Sequence, residues 1–485
     1  MSGEQDRRPA SAAEAFGLAR TLNWFDGFSI ALGVPALLLF SVGSIVVLTG
    51  TLSPLIWIVS VSIGLLQAFI FAEMAGLFPR KSGGHSLYGA EAWRRVNRFV
   101  PPMTVWGNWF AWSPVLALGA LLIGSYVTTQ WFPSHDWEVE FGPFSITFGT
   151  LVGAGVLLLI FWINHFSIKY SARVQQVLGV ISLLPIALLL IVPVLQGHVD
   201  MDNVTPIEPI GGDWWSWDTL TMIAAGLFVA AWSAYAFETT ICYTAEYRNP
   251  GKDAPRAIIA AGLLNLVFYG LGPIVLLGAV GSERIGEDPS VAFAPLADDT
   301  FGAGADMVIA LLIIAFILII NTAILGSART LYQASADGYT VRGLQKLSKR
   351  KVPVRAMGFD VVFNLFLMLL GNPVAILAAS TVGYMVTNVL DLIGGRMLRR
   401  NTEGIEAPYR APTVIMALAV PFAAVNFVLL FLGGPSWGWD AVGLGWAIVL
   451  VSIPVFLYRQ WSDSRGDGAP SAPSRTERAP VEAAS

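Results

Sequence analysis

The sequence predicts an all-α integral membrane protein with twelve transmembrane helices. Three observations carry that prediction: a composition too poor in charge to coat a soluble surface, apolar runs of spanning length repeated along the chain, and a regular alternation of basic and acidic segments between those runs. Of the 485 residues, 55% are hydrophobic and 13% charged, against about a quarter charged in soluble domains. The mean hydropathy is +0.64. The 48 glycines and 28 prolines are tolerated inside apolar runs, because neighbouring helices can satisfy the backbone groups they free. The one cysteine, Cys242, excludes an intramolecular disulfide framework. His85, His135, His165 and His198 are scattered without metal-ligand spacing.

A helix needs about 20 apolar residues to cross a bilayer. Such runs lie near 28–48, 54–78, 103–131, 145–166, 174–196, 219–243, 256–281, 305–327, 356–371, 373–397, 411–433 and 439–458. The ninth is short and contains Asp360, and the turn signal Gly371-Asn372-Pro373 separates it from the tenth. Residues 1–20 carry Arg7 and Arg8 and lack the apolar core and small-residue cleavage site of a signal peptide. The first run is therefore expected to stay as a span. Residues 1–20 read as a cytoplasmic tail, 21–460 as the twelve-helix domain, and 461–485, rich in Ser, Pro, Ala and charge, as a disordered cytoplasmic tail.

The charges fix the orientation. With the N-terminus inside, 28 of the 29 lysines and arginines fall on cytoplasmic segments, and only Arg284 falls outside. The outside loops carry acids instead, among them Asp136, Glu138, Glu140, Asp200, Asp213 and Glu287. A wrong span count would scramble this pattern downstream of the error, so the positive-inside rule places both ends in the cytoplasm.

Two runs are interrupted. The first contains Gly33-Val34-Pro35 in its interior, where proline removes a backbone donor and clashes with the preceding turn. The sixth contains Ala231-Trp232-Ser233-Ala234-Tyr235-Ala236-Phe237-Glu238, a polar and aromatic stretch with an ionisable residue well inside the span. Gly33 and Pro35 alone specify no more than a kink. A carboxylate buried in hydrocarbon costs several kcal/mol, so Glu238 needs a partner or a pathway role unless it snorkels to the headgroups. The spacing adds information. Residues 28–196 hold five runs and 219–397 hold five more, and each block opens with a disrupted helix. That pattern points to an inverted repeat with a midplane site. A broken helix offers free N–H groups to a carboxylate and free carbonyls to an ammonium or cation.

Four short motifs then resemble the amino acid–polyamine–organocation superfamily of permeases. The exit of the sixth run reads Glu238, Glu246-Tyr247-Arg248-Asn249-Pro250 and Pro255-Arg256-Ala257-Ile258. The exit of the second reads Ala72-Glu73-Met74 through Pro79 to Gly83-Gly84. The fifth opens with Ser171-Ala172-Arg173-Val174-Gln175. The eighth ends Gly326-Ser327-Ala328-Arg329 through Leu331-Tyr332 to Asp337-Gly338. The resemblance covers about residues 20–460 and implies the leucine-transporter (LeuT-like) fold, a 5+5 inverted repeat with two further C-terminal helices near 411–458. It also implies a multi-pass protein of the cell (inner) membrane that moves amino acids by alternating access. The sequence departs from the family pattern in three places. Leu37 and Leu39 stand near the usual Gly-x-Gly of the first span, Ala236 replaces a glycine, and Ser182 stands where many proton-coupled members carry lysine.

The resemblance implies a substrate site formed by Gly33, Val34, Pro35, Ala36 and Leu37 of the first span and Trp232, Ser233, Ala234 and Tyr235 of the sixth, with Ser113 and Asn321 as polar additions. Glu238, Ser182, Thr322 and Glu246 are the coupling or gating candidates, with sodium or a proton as the ion. Glu73, Glu246 and Arg329 sit at cytoplasmic helix ends, where capping and pairing are the ordinary roles. The alternative substrate class is a cationic amine such as choline or a polyamine, suited to Glu238 and the neighbouring aromatics. No HExxH, Cys/His cluster, Walker loop or GxSxG motif is present, which argues against an integral membrane enzyme. A substrate sensor is a third reading. The expected partners are the lipid bilayer, a small solute and a coupling ion, with no cofactor and no nucleic acid.

Overall fold

The structure is a computed structural model that describes residues 20–79, 83–165, 172–348, 352–402 and 407–465, with the side chains of 172–178 excluded. The expected tails at 1–19 and 466–485 lie outside the described residues. So do Arg80, Lys81, Lys169, Ser171, Lys349, Arg350 and Lys351, and the side chains of Arg173 and Gln175.

The chain is almost wholly helical. Asn23 starts the first span by accepting hydrogen bonds from the N–H groups of Phe25 and Asp26, while the Asp26 carboxylate accepts from Asn23 N at 2.9 Å. This reciprocal cap satisfies the free donors of the opening turn. Helix α1 (Trp24–Ile30) then tightens into a 3₁₀ segment, Ala31–Phe40, with Pro35 inside it. The backbone breaks at Ser41 (φ −143°, ψ −12°) and resumes as α2 (Val42–Thr49). Gly50, at φ +56°, turns the chain into the second span, α3 (Ser53–Leu77). The short α4 (His85–Trp93) follows Gly83 and Gly84, both at positive φ. The third span is α5 (Val100–Trp112) and α6 (Val115–Trp131), interrupted at Ser113-Pro114. An exposed hairpin of β1 (Glu138–Phe141) and β2 (Phe144–Thr147) leads to α7 (Phe148–His165), and α8 (Ala172–Gln196) is the fifth span.

The second half repeats the break. Helix α9 (Trp217–Ala234), capped by Ser216, gives way to a 3₁₀ segment at Ala236–Glu246 with Tyr243 off helical geometry. Then come α10 (Pro250–Val280), the short α11 (Phe293–Phe301), α12 (Ala305–Ala336), α13 (Val354–Met368) and α14 (Pro373–Asn401). Asn372 caps α14 through Ala375 N, so the expected turn between the ninth and tenth runs is present. Helices α15 (Ala419–Val428) and α16 (Trp439–Ser464) complete the chain.

Among the described residues, ten helical stretches are long and apolar enough to cross a membrane. They account for every expected run except the first and the ninth. The first is the shorter apolar helix Trp24–Phe40 continued by α2. The ninth, α13, has 15 residues.

Three spans pack against the span five positions later: α3 on α10, α6 on α12, and α7 on α13. The two 3₁₀ segments also touch. Outward-facing Leu158, Leu159, Trp162, Leu195 and Phe366 are exposed, the inside-out pattern that lipid permits. Trp214, Trp215, Trp217 and Trp439 near one set of helix ends, and Trp24, Tyr458 and Trp461 near others, are exposed, as expected of interfacial aromatic belts.

Glycine sets the closest helix approach. A Cβ at Gly124 would lie 2.1 Å from Gly149 O, and one at Gly153 would lie 2.2 Å from Ala120 O, so α6 and α7 meet backbone to backbone. Close contact through small residues is a main source of helix association where both surroundings are apolar. Gly155, on the other side of α7, has open space around it. Gly124→Leu is therefore expected to destabilise the protein by ~2 kcal/mol or more and to broaden its size-exclusion profile in detergent. Gly155→Leu should leave both the melting temperature and the profile close to wild type.

Candidate substrate and coupling site

The two broken spans meet at the centre of the molecule. Carbonyls of the first span accept hydrogen bonds from side chains of the sixth and seventh. Tyr269 OH on α10 donates to Val34 O at 2.9 Å and to Ser233 O at 3.0 Å. Ser233 Oγ donates to Leu37 O at 3.0 Å and lies 3.3 Å from Ser41 Oγ. Both side chains are buried. Beside this seam is a cavity of about 10 Å³, lined by Leu37, Ala111, Trp112, Val115, Trp232, Ala236 and Tyr384. Trp232 is fixed over it by donating Nε1–H to Ala111 O at 2.8 Å and by packing on Phe40, with ring centroids 5.9 Å apart.

The structure thus brings Val34, Leu37, Trp232 and Ser233 together, with Pro35, Ala36 and Ala234 buried in the same two segments. Gly33 faces the fifth span: a Cβ there would lie 3.5 Å from Ser182 Oγ, whose own hydroxyl donates to Gly179 O. Tyr235 points toward the second span, where its ring occupies the space a Cβ at Gly64 would need. Ser113 is placed elsewhere. It donates to Asp360 Oδ1 at 2.6 Å in a buried cluster with Trp109, Ser327 and Asn364. Asn321 accepts from Asn164 Nδ2 at 2.6 Å across to the fourth span. Thr322 is exposed and bonds to its own helix at Leu318 O. These three residues do not converge on the cavity, and Thr322 is not brought to Ser182.

Glu246 contributes its carbonyl. Leu22 N donates to it at 3.0 Å, and Arg248 N donates to Leu22 O at 2.7 Å. This short parallel bridge ties the start of the first span to the end of the sixth. Nearby, the buried Glu73 accepts from Arg399 Nη1 at 2.7 Å, Arg410 Nη1 at 2.9 Å and Ala411 N at 2.8 Å. Together these contacts join the first span to the sixth, and the second span to the tenth and the chain that follows it.

Glu238 lies two residues beyond the cavity-lining Ala236. Its Oε2 is 2.6 Å from His85 Nε2, while His85 Nδ1 is 2.7 Å from Asp391 Oδ2 on α14. The Phe71 ring stacks on the imidazole, with centroids 4.4 Å apart. His85 is 1% exposed, Glu238 3% and Asp391 0%. Sequence reasoning singled out Glu238 but missed both partners. Asp391 had a usable signal, since an ionisable residue inside an apolar run is a functional candidate by default. His85 sits directly after the Gly83-Gly84 motif, but nothing local marks it.

His85 lies between spans, on α4. Burial pulls its pKa down, but Glu238 and Asp391 outweigh that and push it up to about 10. The unfolded imidazole has an ordinary value of 6.5. Charged His85 therefore contributes stability that is fully present below about pH 6.5 and is lost as pH rises toward about 10. Removing one member of such a buried pair costs ~3–5 kcal/mol. His85→Ala should lower the melting temperature most at about pH 6, with the gap to wild type closing as the buffer becomes alkaline. A gap that does not change with pH would contradict this reading.

A membrane-embedded helical bundle, two broken helices apposed at its centre and a small enclosed cavity between them define a polytopic membrane transporter. The sequence profile described as amino acid permease matches residues 22–453, and the chain belongs to that family. It is similar to a glutamate/serine transporter of Bacillus subtilis (24% identical over 420 residues, 83% of this chain and 74% of the relative). It is likewise similar to the cystine/glutamate transporter of Homo sapiens (23% over 459 residues, 92% and 87%). A third relative is the D-serine/D-alanine/glycine transporter of Escherichia coli K12 (22% over 373 residues, 71% and 76%). All are transporters of the amino acid–polyamine–organocation superfamily.

Proposed function

We propose that this amino acid permease moves small amino acids across the cytoplasmic (inner) membrane by alternating access, as a transporter and not an enzyme. Twelve spans with both termini cytoplasmic, arranged as a 5+5 inverted repeat with two added helices, provide the framework. The pairing of the second, third and fourth spans with the seventh, eighth and ninth supports the repeat. The observation that carries the proposal is the cavity bounded by Leu37 of the broken first span and by Trp232 and Ala236 of the broken sixth. At about 10 Å³ the cavity has room for about one water, against ~300–1,000 Å³ for typical ligand pockets. Admitting an amino acid therefore requires the two broken segments to move apart. The substrate carboxylate and ammonium meet backbone groups of the first and sixth spans. Those groups are now engaged by Ser233 and Tyr269, and binding exchanges one set of hydrogen bonds for another.

The competing substrate is a cationic amine. Trp112, Trp232 and Tyr384 around the cavity would attract an ammonium by cation–π interaction. Thermal-shift measurements on purified protein, with and without sodium, are expected to show stabilisation by small amino acids and none by choline. Uptake in proteoliposomes should agree, and Trp232→Ala should weaken the apparent affinity for the stabilising amino acid at least tenfold. Saturable choline uptake unaffected by excess amino acids would replace the leading reading with the amine one.

A further inference from the structure

We propose that Asp360 of the ninth span is a positioning residue that fixes the third-span wall of the substrate cavity and so sets which side chains the permease selects. The inference rests on the amino acid permease reading and assigns the selectivity of that same site. Asp360 is fully buried and does not line the cavity. It acts through Ser113, at the interruption between α5 and α6.

The contacts converge on one stretch of chain. Asp360 Oδ1 accepts from Trp109 Nε1 at 3.0 Å and from Ser113 Oγ at 2.6 Å. Its Oδ2 accepts from Ser327 Oγ of the eighth span. One turn later on α13, Asn364 Nδ2 donates to Ser113 Oγ at 2.8 Å and to Asp360 O at 2.8 Å. Asn364 Oδ1 accepts from Ala117 N at 3.2 Å. Ser113 and Asn364 are buried as completely as Asp360. The ninth span therefore grips the third on both sides of Pro114, which has no N–H and cannot carry the helical ladder through. Neighbouring groups must then set how α5 and α6 meet. Ring contacts add to the grip: Trp109 lies 5.1 Å from Phe363 and 5.8 Å from Phe359, both on α13. The two carboxylate oxygens together accept three donors, an arrangement that holds helices rather than a passing cation.

The gripped stretch carries the cavity wall. Ala111, Trp112 and Val115 all lie within two residues of Ser113, and all three line the cavity. Ala111 O also accepts from Trp232 Nε1 at 2.8 Å, so the place of the third span sets the place of that ring on the sixth. An amino acid enters when the broken segments of the first and sixth spans move apart. The wall held from behind by Asp360 is the surface its side chain then meets. Fit of one methylene against an apolar wall is worth about 10–200-fold in selection, so a small shift of this wall is enough to change which substrate is preferred.

Two measurements test the proposal. In the first, full-length protein in proteoliposomes exchanges labelled glycine, L-alanine, L-serine and L-valine by counterflow. The readout is the ratio of apparent KM values between substrates within each variant, which does not depend on how much protein is active. Ser113→Ala and Asp360→Ala should each change at least one of these ratios about fivefold or more. The double variant should change it no further than the larger single effect, because both act through one contact. Asp360→Asn keeps an oxygen for Trp109 and Ser113 and offers an amide to Ser327 Oγ, so it should hold the ratios within about twofold of wild type. Wild-type ratios in both alanine variants, with only the maximal rates lowered, overturn the proposal, as does an Asp360→Asn change as large as that of Asp360→Ala. The second measurement needs no substrate. Trp232→Phe keeps a ring but removes the donor to Ala111 O, and Trp232 and Asp360 share no hydrogen-bond partner. If Asp360 holds the third span against Trp232, the double variant loses less melting temperature than the two single losses added together. Additive losses overturn the proposal, and Ser113→Ala takes the place of Asp360→Ala if that variant does not fold. No transport of any amino acid, with the melting losses still non-additive, overturns the permease reading instead.

Discussion

In a lipid interior a backbone carbonyl that leaves its helix must be met by another protein group, because no water is there to take its place. That constraint decides how this protein is built. The 3₁₀ segment Ala31–Phe40 turns the carbonyls of Val34 and Leu37 toward Tyr269 and Ser233, which donate to them. The break in the sixth span brings Ser233 to the right place, and the seventh span supplies Tyr269. The first, sixth and seventh spans are thus bound into one core by the need to satisfy unwound backbone. The second span packs along the seventh, where the rings of Trp57 and Tyr269 lie 5.2 Å apart. The cavity lies where the two 3₁₀ segments meet.

Buried charge follows the same rule at higher cost. Among the described residues, Glu73, Asp360 and Asp391 are at most 1% exposed, and each is compensated differently. Glu73 is met by two arginines and a backbone N–H. Asp391 is met by His85. Asp360 is met by neutral donors from Trp109, Ser113 and Ser327. The first resembles a latch, since it joins elements that are far apart in sequence and close to water. The second joins α4 to the tenth span. The third fixes one helix among others.

The sequence revealed most of the scaffold, because spanning length and charge alternation are local properties. Gly371-Asn372-Pro373 could be read as a turn for the same reason, and Asn372 caps the following helix. The two interruptions were visible in Pro35 and in the polar stretch from Trp232 to Glu238. Their extents were not: Ala31–Phe40 stays 3₁₀ rather than α because of contacts with the fifth, sixth and seventh spans. Helix facing was the other gap. Ser113 lies on the right span, yet its hydroxyl turns to Asp360 while Ala111, Trp112 and Val115 line the cavity. His85 and Asp391 are 306 positions apart, and no periodicity links residues at that distance.

The cluster around Asp360 bears on how the chain enters the membrane during synthesis. Helix α13 has 15 residues and carries a carboxylate in its interior, so it has little affinity for lipid on its own. Trp109, Ser113 and Ser327, whose donors satisfy Asp360, all precede it in the chain. When the ninth helix leaves the ribosome, the third and eighth are already made. It can be received by a prepared polar socket, and its insertion is a folding step more than a partitioning step.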